Sequence, residues 1–200
     1  MNSRVSQILA EIRHLEEELE DVINTQQVQL YYRIEGTKIR FEQSVRRAHQ
    51  QLKTGIFRWL RESSPRNLIT APLIYALIVP FVLLDLSVTV YQWLCFPLYR
   101  IEKVQRNNYI ILDRHKLGYL NVIEKFNCIY CGYATGLFTY TREIAARTEQ
   151  YWCPIKHARK ILDPHRRYAR FSDFGDSDEF AEHFPKLRKE LAPVSDQTTG

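Results

Sequence analysis

The sequence predicts a mostly α-helical protein anchored by one apolar segment, and three observations carry that expectation. An apolar stripe with heptad-like spacing opens the chain, a run of 33 nearly uncharged residues occupies its middle, and two Cys/His half-sites follow, separated by a helix-like stretch. Four regions result: a helical coiled-coil-like region over 1–66, a membrane segment over 67–99, a small α-rich Cys/His domain over 100–171, and an acidic, partly disordered tail over 172–200. The charge follows the same partition. The overall excess of +5 conceals a single charge in the apolar run and a concentration of cations between 100 and 170.

In the first region, Val5, Ile8, Ile12, Leu15, Leu19 and Val22 recur at alternating spacings of three and four, the a/d stripe of a heptad repeat. Glu11, Glu16, Glu17, Glu18, Glu20 and Asp21 occupy the other faces. After Gly36, a turn residue, a second helical run is expected to carry Phe41, Val45, Ala48, Leu52, Ile56 and Trp59. A helical hairpin or a self-associating coil follows from these two runs, and homo-oligomerisation through the N-terminal helices is the expected use. Met1 to Glu20 lacks the apolar core of a secretory signal and is rich in acids, so no leader is expected there.

The segment Asn67–Tyr99 carries one charge, Asp85. More than 18 nearly uncharged apolar residues read as a membrane segment, because a bilayer core needs roughly 20 helical residues. At about 1.5 Å per residue, 33 residues overshoot a core of about 30 Å. One arrangement is a single span of about Leu73–Leu94 with Tyr91, Trp93, Phe96 and Tyr99 as an interfacial belt. The other is a re-entrant hairpin bent at Pro80, where proline removes a helix hydrogen bond. Cations flank both ends almost equally, so the positive-inside rule selects no orientation. A charge at membrane depth costs about 3 kcal/mol on insertion scales, which makes Asp85 the candidate intramembrane polar residue. With no second charge in the run, a transporter or channel is not expected.

Candidate chemistry lies beyond the apolar run. Cys128 and Cys131 form a C-x2-C and Cys153 and His157 a C-x3-H, 21 residues apart. Two such pairs resemble a tetrahedral Cys3His zinc site. Three thiolates and one imidazole saturate Zn2+, so the site is expected to be structural, and zinc is the expected cofactor. Between the pairs, Leu137, Tyr140, Ile144, Thr148 and Tyr151 mark one face of a helix expected over 136–151. A dithiol redox pair at Cys128 and Cys131 is the competing use, and Cys95 reads as a packing or acylation residue. The basic run that follows, with Arg159, Lys160, Arg166, Arg167 and Arg170, is expected to meet anionic lipid or a protein partner. Nucleic acid is the less favoured partner.

The stretch EKFNCIYCGY…REIAARTEQYWCPIKHA also resembles an uncharacterised family of bacterial, proteobacterial-like membrane proteins with a C-x2-C … C-P-x2-H motif. The resemblance runs from the apolar segment to about Arg170. It implies placement at the bacterial inner membrane with the C-terminal domain cytosolic, and no activity. No nucleotide-binding glycine loop and no catalytic residue is recognisable. The leading expectation is therefore a membrane-anchored interaction or scaffold protein, with a membrane-bound metal- or thiol-dependent enzyme as the alternative.

Overall fold

The computed structural model describes residues 3–29, 32–35, 38–41, 53, 55, 58, 61 and 63–193. It is mostly helical. The α-helices with described bounds are α1 (Ser3–Gln29), α2 (Pro65–Ala76), α3 (Ile78–Leu98), α4 (Val122–Trp152) and α5 (Ser177–Lys189). Two short strands, β1 (Tyr32–Glu35) and β2 (Lys38–Phe41), pair antiparallel with Tyr32 opposite Phe41 and Glu35 opposite Lys38. The chain divides into two compact units, one of residues 1–62 with 113–125, the other of 63–112 with 126–200.

In the first unit the heptad-like stripe forms one helix, and Ile12, Leu15, Leu19 and Val22 lie exposed along it. The expected second helix does not begin at Phe41, which instead closes β2. Tyr-Arg-Ile-Glu and Lys-Ile-Arg-Phe alternate in the period-two pattern of strands. Val45, Ala48, Leu52, Ile56 and Trp59 lie outside the described residues. The same unit holds the start of α4, fixed by a reciprocal cap. The Glu124 amide donates to Asn121 Oδ1 (2.9 Å), and the Asn121 amide donates to Glu124 Oε2 (2.8 Å).

The second unit is built on α2 and α3. Pro65 starts α2 at a first-turn position, where its missing N–H costs nothing. A single turn residue, Leu77, separates the two helices, and Pro65–Leu98 forms one apolar helical stretch of 34 residues. The chain does not turn back at Pro80, so the re-entrant hairpin is not the observed arrangement. Proline in the first turn of α3 merely ends the α2 hydrogen-bond pattern three residues earlier.

Helix α4 runs parallel to α2–α3. Contacts climb together along both: Tyr75 with Asn127, Asp85 with Tyr133, Gln92 with Tyr140, Tyr99 with Tyr151. Parallel neighbours require a crossover, and residues 101–112 supply it. This return segment descends against both helices: Val104 bonds Gln92, Arg106 bonds Asp85, and Ile110 lies against Gly136. The core of this unit holds Phe96, Ile101, Val104, Leu137, Tyr140, Ile144 and Leu191, drawn from α3, the return segment, α4 and the chain just beyond α5.

Beyond α4 the chain folds back on its end. A parallel bridge joins Ile155 to Ser172, with Lys156 N–H donating to the Ser172 carbonyl at 2.8 Å. Helix α5 is capped by Asp176, whose side chain accepts from the Glu179 amide at 2.8 Å. Acids sit in its first turn and Lys186, Arg188 and Lys189 in its last, matching the helix dipole.

Candidate functional site

One face of α3 carries Phe81, Asp85, Val88, Gln92 and Phe96, spaced four, three, four and four apart, and this face turns inward. Asp85 thereby meets partners from two other segments. Arg106 clasps it with two nitrogens, Nη2 at 2.6 Å from Oδ2 and Nε at 3.3 Å from Oδ1. The Tyr133 hydroxyl of α4 donates to Oδ2 at 3.0 Å. The Asp85 side chain is 15% exposed, and that of Arg106 is 44% exposed. Hydrogen bonding to Asp85 raises the Arg106 guanidinium further above its ordinary value, and burial raises the Tyr133 phenol, reinforced by the carboxylate. The second charge absent from the apolar run itself is thus delivered by the return segment.

One helical repeat further on, Gln92 binds the same segment. Its Oε1 accepts from the Val104 amide at 2.6 Å, and its Nε2 donates to the Val104 carbonyl at 3.3 Å and the Tyr140 hydroxyl at 3.0 Å. A buried amide here completes the backbone hydrogen bonds of a segment that has no strand partner. Asp85 and Gln92 together pin residues 104–106 between the two helices.

The four expected metal ligands are not brought together. Cys128 and Cys131 lie within α4, one turn apart, because the helix starts at Val122 and runs through the C-x2-C rather than beginning near 136. Cys153 follows the last residue of α4, and its amide still bonds the Glu149 carbonyl at 2.7 Å. Cys153 therefore lies 22 helical steps beyond Cys131, about 33 Å at 1.5 Å each, against a Zn–S bond of about 2.3 Å. Gly132 sits on α4 where the Ile111 carbonyl passes, 3.4 Å from where its Cβ would be. His157 is exposed, and its ring stacks on Tyr168. Among the described residues, no group of three or more His, Cys, Asp or Glu is placed to hold a metal ion. All four cysteines are free thiols.

The basic run divides into two kinds of residue. Arg159 and Lys160 are exposed, and Arg166 is exposed as well. Arg167 turns inward: its Nη2 meets Glu143 at 2.9 Å and its Nη1 donates to Gln150 Oε1 at 2.9 Å. Arg170 pairs with Glu190 at 2.8 Å. Glu143 also receives Arg147 at 2.9 Å, and the fully buried Gln150 donates to the Leu187 carbonyl at 2.7 Å. Burial works to raise the Glu143 carboxyl, but hydrogen bonds from Arg147 and Arg167 outweigh it and hold the group below the ordinary glutamate value. This network locks the C-terminal arm onto α4, so the run is not one uniform outward cationic face.

Comparison with known protein families, curated proteins and solved structures returns no match for the chain.

Proposed function

We propose that this protein is a membrane-anchored interaction or scaffold protein. The observation that carries the reading is the Pro65–Leu98 stretch, long and apolar enough to cross a membrane, whose most apolar 18 residues include none that is buried. An apolar surface of this extent is costly in water and favourable against lipid, at roughly 25 cal/mol per Å² removed from water. The unburied cations Arg159 and Lys160 fit an anionic headgroup layer, at about 1 kcal/mol each near the surface. The exposed stripe of α1 supports self-association through a second copy of the same helix.

Flotation of the full chain with phosphatidylcholine–phosphatidylglycerol vesicles tests the reading. The protein is expected to rise with the vesicles and to resist release by high salt, since the apolar stretch and not charge dominates. A chain that stays at the bottom of the gradient would sink the proposal.

A further inference from the structure

We propose that α2–α3 does not cross the bilayer but lies flat in one leaflet, as an in-plane anchor whose inner side is water-facing. This rests on the membrane reading above and specifies its geometry.

The helix has two unlike sides. Its outward arc carries Leu73, Val82, Leu86, Val90, Trp93 and Leu98, between 45% and 78% exposed. The one charge between Asn67 and Tyr99, Asp85, is turned away from that arc. On the inner side runs the return segment, and its exposed residues are polar without interruption from 105 to 108: Gln105, Arg106, Asn107 and Asn108, with Lys103 just before.

Depth decides between the two orientations. Arg106 bonds Asp85, near the middle of the 34-residue stretch, so in a crossing orientation residues 103–108 would lie within the hydrocarbon. Irregular backbone and outward-facing polar side chains are not tolerated against lipid at that depth; they occur there only when covered by protein or water. Rotating the helix into the membrane plane removes the conflict. The apolar arc then enters the acyl region while the return segment faces water. Length agrees, since 34 helical residues run to about 51 Å, far beyond a core of about 30 Å but unconstrained in the plane.

The experiment uses the full chain with Cys95, Cys128, Cys131 and Cys153 replaced by Ser. Single cysteines are then placed at Arg66→Cys, Asn107→Cys and Lys103→Cys, all exposed positions. The variants are bound to sealed phosphatidylcholine–phosphatidylglycerol vesicles and probed with a membrane-impermeant maleimide. All three are expected to label from the same side, each to within about twofold of its labelling in detergent. Labelling of Arg66→Cys and Lys103→Cys from opposite sides would overturn the proposal, as would an Asn107→Cys that reacts in detergent but not in vesicles. Lipids brominated at defined acyl depths supply a second reading that needs no cysteine. Trp93 and a Leu73→Trp variant are expected to be quenched by the same shallow label, and deep quenching of either would contradict an in-plane helix. Protein that fails to float at all overturns the membrane reading itself, an outcome distinct from opposite-side labelling of floated protein.

Discussion

Two residues show how little tolerance the packing between the helices leaves. A Cβ on Gly136 would stand 2.7 Å from the Tyr109 carbonyl oxygen and 2.9 Å from the Ile110 Cα, both backbone atoms that no rotamer change can move. Gly136→Ala is therefore expected to destabilise by about 1–3 kcal/mol, the usual cost of overpacking. Gly132→Ala, whose Cβ would meet neighbours at 3.4 Å, is expected to cost less, and thermal unfolding of both variants checks the order. Asp85 and Arg106 make a second comparison. Removing either partner leaves the other charge uncompensated against the helix, so Asp85→Asn or Arg106→Gln alone is expected to lower stability more than Asp85→Leu combined with Arg106→Leu. A double-mutant cycle on the purified protein reads this directly. A loss in the double variant equal to the sum of the two single losses would show that the pair contributes no coupling.

The elements differ in how far the sequence exposed them. The 3-4 spacing of α1 and the length of the apolar run were both legible, because each signal is local and repeats many times. The β1–β2 pair is masked by a competing pattern: Phe41 fits a helical stripe, while Arg33, Glu35, Lys38 and Arg40 alternate with Ile34 and Ile39 over a span too short to outweigh the longer pattern. The cysteine pairs are ambiguous for a different reason. Spacing alone reads C-x2-C equally well as a knuckle or as two residues one turn apart on a helix, and the Asn121–Glu124 cap that starts α4 upstream of Cys128 was the local feature that separates them. The pairing of Asp85 with Arg106 left no local trace, being made across 21 residues, though Asp85 and Gln92 sharing one face marked that side as inward. For α1, Leu15→Lys combined with Leu19→Lys is expected to convert an oligomer to a monomer in light scattering. A wild-type chain already monomeric would remove self-association from the proposed function.

At the scale of the molecule, one charged network and one crossover hold the C-terminal two-thirds together. Glu143 titrates below the ordinary glutamate value of about 4.3 in the folded state, so its contribution is complete above that value and is lost as pH falls through the lower folded one. The difference in melting temperature between wild type and Glu143→Gln is accordingly expected to narrow as the pH is taken from 7 towards 3; a constant difference would show that the carboxylate's charge is immaterial. The parallel course of α3 and α4 has a further consequence, for the order in which the chain is made. Tyr133 lies 48 residues beyond Asp85, Tyr140 48 beyond Gln92, and Thr148 57 beyond Tyr91. A nascent chain extended only through α3 presents a carboxylate and an amide with none of these partners yet synthesised. Its apolar arc is complete long before its inner face is, so under the proposed in-plane anchoring contact with lipid precedes tertiary packing, and the bilayer surface would be the template on which the rest of the unit closes.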